Sequence, residues 1–403
     1  MSVPQIRFKG FADAWEQRKL GEVAEHFEYG LNASAKDFDG NHKYIRITDI
    51  DDNLRVFDES GLTSPDIDFD DADSYLLKQG DILFARTGAS VGKSYIHRND
   101  NDLVYFAGFL IRTRLLDDYS SEFIFQNTLT EKYNAFIKIM SQRSGQPGVN
   151  AQEYASYFLS IPTFEEQTAI GSFFRTLDTT INLHKRKLDS LRELKKAYLQ
   201  VMFSQSGESV PRVRFAGFSG DWVERKLGEV AKTYSGGTPP VGIKEYYNGE
   251  IPFIRSAEIN SVKTELFLTE KGLKNSSAKT VEIGTILYAL YGATSGEVGI
   301  SRINGAINQA ILAIKPMQHY DRNFIFQYLR REKNSIISTY LQGGQGNLSG
   351  AIIKDLTFSS PVLAEQQQIG NFFRNLDEQI TAQQVKLEGL KRLKAGYLQK
   401  MLV

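Results

Sequence analysis

The sequence reads as an α+β protein: two homologous mixed α/β lobes, each followed by a long coiled-coil helix, with an internal repeat that gives the halves a pseudo-twofold relation. Three observations point there. The segment Pro4–Ala24 returns at Pro211–Ala231, an offset of 207, with 13 of 21 positions identical. The segment Pro162–Met202 returns at Pro361–Met401, an offset of 199, with 20 of 41 identical. Finally, 403 residues exceed what one hydrophobic core usually organises.

Each half therefore consists of an opening segment, a diverged lobe and a closing helix. The expected division is 1–159 for the first lobe, 160–205 for its helix, 206–358 for the second lobe and 359–403 for its helix. The polar stretch Ser204-Gln-Ser-Gly-Glu-Ser209 reads as the linker. The only two tryptophans, Trp15 and Trp222, hold the same place in the two opening segments, which implies a repeated packing role.

In the first lobe, Tyr44-Ile-Arg-Ile-Thr48, Ile82-Leu-Phe-Ala85 and Leu110-Ile-Arg-Thr-Arg114 have the β-branched and aromatic content of short strands, and Ser120 to Met140 reads as helical. The second lobe repeats the order with Phe253-Ile-Arg255, Ile286-Leu-Tyr-Ala289 and Ala310-Ile-Leu-Ala-Ile314, then a helix from about Arg322 to Leu341. The closing segments have a different period. Ile170, Phe174, Leu177, Ile181, His184, Leu188, Leu191, Lys195, Tyr198 and Met202 are spaced alternately four and three apart. Ile369, Phe373, Leu376, Ile380, Gln383, Leu387, Leu390, Lys394, Tyr397 and Met401 repeat that frame. Such seams pair with other helices, within one chain or between two; homologous lobes before both helices favour pairing within the chain. At about 1.5 Å per residue, roughly 40 helical residues would span about 60 Å. His184 and Gln383 share a seam position, where polar residues set register more often than they bind ligands. Thr163 and Glu166 suggest a capping box, not shared by the second copy, which has Val362.

Composition removes several function classes. With 41% hydrophobic and 24% charged residues the chain is globular, and no stretch approaches a membrane span. The absence of cysteine excludes disulfides and thiolate metal sites, and the N-terminus lacks the apolar core of a secretory signal, so a cytoplasmic, bacterial protein is expected. Net charge is zero but unevenly spread: 13 basic against 21 acidic residues give −8 over 26–160, and 13 against 10 give +3 over 233–359. The acidic run from Asp49 to Asp81 should face away from any bound polyanion. His26, His42, His97, His184 and His319 do not cluster, and no His-Glu-x-x-His, Gly-x-Ser-x-Gly or Asn/Asp-Pro-Pro-Tyr occurs, so neither a catalytic centre nor a metal is assigned.

Gly88-Ala-Ser-Val-Gly92-Lys93-Ser94 resembles a phosphate loop but has three residues between the glycines instead of four. The second half has Gly292-Ala-Thr-Ser-Gly296-Glu297, with a carboxylate in place of the lysine. Two readings stay open: a plain turn after a buried strand, or a loop presenting Arg86, Thr87, Ser90 and Lys93 to nucleic acid. Gln142-Arg-Ser-Gly-Gln-Pro-Gly148 and Gln342-Gly-Gly-Gln-Gly-Asn347 precede the two closing segments. They are either flexible connections or readers of base edges, since Gln and Asn suit adenine and Arg suits guanine.

The openings Trp15-Glu-Gln-Arg-Lys-Leu-Gly-Glu-Val23 and Trp222-Val-Glu-Arg-Lys-Leu-Gly-Glu-Val230 carry a family resemblance. So do Ser235-Gly-Gly-Thr-Pro with Glu245-Tyr-Tyr and Ile251-Pro, and the helix starts Glu166-Gln-Thr-Ala-Ile-Gly-Ser-Phe-Phe174 and Glu365-Gln-Gln-Gln-Ile-Gly-Asn-Phe-Phe373. Together they span nearly the whole chain, which resembles the specificity subunits of type I restriction-modification systems. The first lobe departs from the pattern, with Tyr29-Gly-Leu-Asn-Ala-Ser34 in place of Ser-Gly-Gly-Thr-Pro, so the two lobes should recognise different half-sites.

The resemblance implies two target-recognition domains separated by two antiparallel helices, each domain reading half of an asymmetric, interrupted sequence in double-stranded DNA. It implies two methyltransferase subunits docked on the helices and further restriction/translocase subunits. S-adenosylmethionine, ATP and Mg²⁺ belong to those partners, with no cofactor and no catalytic residue in this chain. The expected DNA contacts are Lys36, Arg46, Thr48, Arg86, Thr87, Ser90, Lys93, Arg143 and Gln146 in the first lobe. In the second they are Thr238, Arg255, Ser256, Tyr291, Thr294, Ser295, Gln345 and Asn347. The expected docking and coiled-coil set is Phe173, Phe174, Leu177, Ile181, Leu188, Leu191 and Tyr198 with Phe372, Phe373, Leu376, Ile380, Leu387, Leu390 and Tyr397. A coiled-coil scaffold with protein-binding lobes is the competing reading, and a nucleotide hydrolase or self-sufficient methyltransferase the third.

Overall fold

The computed structural model describes residues 3–70, 72–142, 146–205, 207–341 and 347–402. The chain forms two compact units, Met1–Lys187 with Gln383–Val403, and Leu188–Ala382. Both boundaries fall inside the closing helices, Phe164–Val201 and Leu363–Met401, so each unit holds one lobe, the start of its own helix and the end of the other. No helix among the described residues is long and apolar enough to cross a membrane.

In the first unit the opening segment forms a strand, Glu16–Lys19, antiparallel to Phe158–Ile161, the strand that leads into the closing helix. Trp15 is buried edge-on against Phe123, ring centroids 5.8 Å apart. The Glu166 carboxylate accepts from Arg7 Nε (2.8 Å) and Nη2 (2.6 Å) and from Trp15 Nε1 (3.2 Å). This corrects the capping box. Thr163 Oγ1 does accept from the Glu166 amide at 3.4 Å, but the carboxylate turns to the guanidinium, a stronger partner than a backbone N–H.

The central sheet has the order Ala24–Tyr29, Leu110–Leu115, Ile82–Ala85, Ser94–Ile96, all antiparallel. Successive side chains of Ile82–Ala85 alternate between two cores: Ile82 and Phe84 pack with Trp15 and Phe123, whereas Leu83 and Ala85 pack with Ile45, Val104 and Phe106. Burial on both faces explains why this strand is an unbroken apolar run. Two expectations are corrected. The strand expected over Tyr44–Thr48 stops at Ile45, because the Asp49 carboxylate takes the Arg46 amide and guanidinium and winds Ile47–Asp49 into a 3₁₀ turn. The helix expected from Ser120 to Met140 is two, Ser121–Asn127 and Glu131–Met140. Thr128 donates back to Phe125 O and Thr130 caps the next helix, the local hydrogen bonds by which such residues end helices.

The second unit repeats the plan. Val223–Lys226 pairs with Thr357–Ser360, Trp222 packs on Phe324 at 5.7 Å, and Arg214 holds Glu365 at 2.7–2.8 Å. The sheet order is Ala231–Ser235, Ile311–Pro316, Ile286–Ala289, Val298–Ile300. A second, mixed sheet runs Leu266–Leu268, Tyr247–Ile254, Gly305–Ile307, Lys279–Val281. Arg255, expected in a strand, lies one residue past it and caps a 3₁₀ turn on Glu258. The helix expected from Arg322 to Leu341 is interrupted at Glu332, between Arg322–Arg331 and Lys333–Tyr340.

Within each unit the two closing helices run antiparallel. In the first, Phe173 meets Tyr397 at 5.1 Å, Asp178 meets Lys394 at 2.5 Å, and Gln383 Nε2 donates to His184 O at 3.0 Å. In the second, Lys195 meets Asp377 at 2.6 Å and Tyr198 meets Phe372 at 5.1 Å. The pairing is thus intramolecular. The repeated Phe-Ile-Phe-Gln and Leu-Asp motifs join at these points: Gln126 Nε2 donates to Asp178 at 2.8 Å, and Gln327 Nε2 to Asp377 at 2.7 Å. Each aspartate thereby links a lobe to a seam lysine. Burial pushes the Asp377 carboxyl up, but Arg330, Lys195 and Gln327 outweigh it and hold the group below the usual range. Burial lowers the pKa of the Lys195 ammonium, with Arg330 adding to the effect, since one shared carboxylate returns less to the ammonium than desolvation removes.

Candidate nucleic-acid interface

One end of the central sheet in the first lobe gathers residues distant in sequence. The strand Ile82–Ala85 runs into Arg86, whose amide donates to Phe109 O at 3.0 Å and whose carbonyl accepts from the Val149 amide at 2.9 Å. Thr87 pairs with Gly148 in an antiparallel bridge, and Gly88 N donates to Pro147 O at 3.0 Å. The glycine-rich loop and the segment before the closing helix therefore form one surface. Ser90 ends its 3₁₀ turn, and Gln146 lies exposed beside Gly88. Tyr29 joins them at the end of its strand: the Arg86 guanidinium lies 5.0 Å from the Tyr29 ring centroid.

The second lobe has the same frame. Leu290 N donates to Ala310 O at 2.8 Å, Leu348 N to Leu290 O at 3.0 Å, and Tyr291 bridges Asn347. Gly292 and Gly296 take φ of 75° and 79°, as Gly88 and Gly92 take 73° and 83°. Gly30 and Gly236 both lie too close to a neighbouring backbone for a side chain: a Cβ would overlap the Ala107 carbonyl in the first lobe and the Ile307 carbonyl in the second. So the Tyr29-Gly30 departure keeps the steric requirement of the Ser-Gly-Gly motif and changes the chemistry around it.

The frame is shared and the side chains are not. Leu290 stands in the place of Arg86, Ala310 of Phe109, Tyr291 of Thr87 and Glu297 of Lys93. Lys93, expected on the loop surface, is turned inward at 7% exposure, its ammonium on Ile50 O (3.0 Å), Ile47 O (3.3 Å) and Asp52 (2.5 Å). An ammonium without water collects such acceptors because burial unpaired is costly. Ser295, also expected as a contact, is buried with Oγ donating to Leu290 O at 3.3 Å. Thr294 is half-buried, its hydroxyl on Tyr291 O at 3.4 Å.

The remaining expected contacts lie on other elements. Lys36 is exposed on the strand Ala35–Asp37, 3.6 Å from Asp66. Arg46 is held by Asp49 at 2.8 and 2.9 Å, which raises its pKa, and Thr48 donates to the same carboxylate at 3.0 Å. Arg255 is clamped by Glu258 and Glu265, and Ser256 begins the turn they close. Its pKa is raised by those bonds; Glu258, pushed up by burial but outweighed by Arg255 and backbone amides, sits at about 2. Thr238 is exposed and donates to Gln309 at 2.5 Å. Arg143 and Gln345 lie outside the described residues. Part of the acidic run is neutralised internally, Asp49 by Arg46, Asp52 by Lys93 and Asp81 by Arg114.

Sequence reading missed Phe109, 62% exposed at the turn before Leu110, and the Tyr29 ring. The available signal was Gly108-Phe109 between two apolar strands, a turn bearing an aromatic where a polar residue is the rule.

A family model described as the type I restriction modification DNA specificity domain matches residues 12–193 and again 219–392. The chain is 28% identical over 184 residues to the MjaIX specificity subunit of a type I restriction enzyme from Methanocaldococcus jannaschii, covering 43% of this chain and 42% of that protein. It is 19% identical over 343 residues to the MjaVIII specificity subunit from the same organism, covering 81% and 79%. Among solved structures, the S subunit of a type I restriction-modification system from M. genitalium superposes with a TM-score of 0.71 at 14% identity, covering 100% of this chain and 99% of that one.

Proposed function

Since the chain belongs to the type I restriction-modification DNA specificity family, we propose that it is the subunit that selects the DNA sequence, each lobe reading one half of an asymmetric bipartite site. One observation carries the reading: a single backbone frame, built twice, presents Arg86, Thr87 and Gln146 in one copy and Tyr291 and Asn347 in the other, where Leu290 is buried in the place of Arg86. Equal frames favour equal approaches to a regular duplex, and unequal side chains favour unequal base sequences. The closing helices set the gap between the half-sites, which for approach from one face of B-DNA is about one helical turn, roughly 34–36 Å. They also dock two methyltransferase subunits, whose identity suits the near-twofold repeat. S-adenosylmethionine, ATP and Mg²⁺ act on the methyltransferase and restriction/translocase partners in the cytoplasm, and this chain performs no chemistry.

Mapping N6-methyladenine across a genome with and without the chain tests this. The expected result is one interrupted motif that appears with the chain, and whose gap changes, or whose methylation is abolished, on insertion of a heptad into one closing helix. An unchanged motif with normal activity after that insertion refutes the spacing role. If the chain with its methyltransferase retards a duplex no better than scrambled competitors, the protein-binding scaffold reading replaces it.

A further inference from the structure

Resting on that reading, we infer that Arg86, Tyr29 and Phe109 form a guanidinium–aromatic clamp, present in the first lobe alone, that reads a guanine in the major groove. Four other arginines of this lobe are each held by a carboxylate: Arg46 by Asp49, Arg98 by Glu122, Arg112 by Glu28 and Arg114 by Asp81. Arg86 instead packs its guanidinium 5.0 Å from the Tyr29 ring centroid, and among the described residues no carboxylate pairs with it. Contact with a ring uses the face of a guanidinium and does not consume its edge of N–H donors, the edge that matches O6 and N7 of guanine. The Tyr29 hydroxyl accepts from the Ala151 amide at 3.3 Å, which ties the ring under the arginine to the segment before the closing helix.

Phe109 supplies the apolar half. It is 62% exposed at a turn whose carbonyl accepts from the Arg86 amide, so ring and guanidinium leave adjacent points of the backbone. An exposed ring carried by the residue that pairs through its backbone with Arg86 suits apolar contact with the thymine methyl of a base pair neighbouring the guanine. In the second lobe the equivalent positions hold Leu290, 1% exposed, and Ala310, so that lobe lacks both elements.

The test uses the full chain assembled with its methyltransferase and a duplex panel in which each base pair of the methylated site is varied singly. Arg86→Lys keeps the charge and loses the planar fork, so discrimination at one G·C pair should fall roughly 5- to 150-fold, with every other position unchanged. Phe109→Ala should weaken binding to the native site and leave the thermal midpoint unaltered, as the ring is exposed. If wild type is specific while both variants keep its affinity and discrimination, the clamp is overturned and the half-site reading stands. If Arg86→Lys keeps the discrimination while Arg86→Ala loses affinity uniformly for all duplexes, with a salt slope reduced by about one unit, Arg86 is a phosphate contact, which also overturns the clamp. A wild-type complex with no sequence preference removes both readings.

Discussion

Asp377 offers the sharpest test of how lobe and helix are joined. Its carboxylate receives Lys195 at 2.6 Å, Gln327 at 2.7 Å and Arg330 at 3.2 Å, and the Lys195 side chain is only 9% exposed against 28% for Asp377. Asp377→Ala leaves a buried ammonium without its counter-ion. Removing one partner of a buried pair costs about 3–5 kcal/mol, reduced here to about 2–4 because water reaches the carboxylate. Lys195→Met removes the buried charge instead and leaves Asp377 with Arg330 and Gln327, so it should cost no more than about 1 kcal/mol. The double variant should resemble Asp377→Ala less its stranded charge, a coupling of about 2 kcal/mol. In a Trp15→Phe background Trp222 is the only tryptophan, so the urea midpoint of its fluorescence reports the second unit alone. Equal single losses that simply add would refute the latch.

Acid should act on the same unit. Asp377 and Glu258 both titrate below their ordinary values of 3.8 and 4.5, so their stabilisation is complete above those values and is lost as the pH falls through the depressed folded ones, about 2 for Glu258. The thermal midpoint read by Trp222 should therefore fall between pH 4.5 and 2, and a D377N/E258Q variant should lose much of that slope. Trp15→Phe should cost its unit about 1 kcal/mol more than Trp222→Phe costs the other, because Trp15 Nε1 donates to Glu166 whereas Trp222 Nε1 is buried without a partner; equal losses by calorimetry would contradict this. Lys93→Met should lower stability by about 1–3 kcal/mol through the carbonyls it leaves unpaired, with no change in the salt slope of DNA binding; a changed slope would place the ammonium on phosphate.

Periodicity and repetition carried the local structure. The four-three spacing through Ile170, Phe174 and Leu177 defined the helices, and the apolar run Ile82–Ala85 defined a strand buried on both faces, because side-chain period and burial follow from backbone geometry within a few residues. The shared tryptophans announced a repeated contact but not the partner, Phe123 in one unit and Phe324 in the other. Long-range meetings were beyond reach: Arg7 with Glu166, Thr87 with Gly148, and Lys93 turned toward Ile50 instead of outward. Such pairings join chain segments through loops whose path no spacing rule specifies, and a buried charge finds its acceptors only once the surrounding backbone is in place. The duplication, the helices and the central strands were thus written in residue order, while the tip that brings Tyr29, Arg86, Phe109 and Gly148 together exists only when four separate segments converge at the end of one sheet.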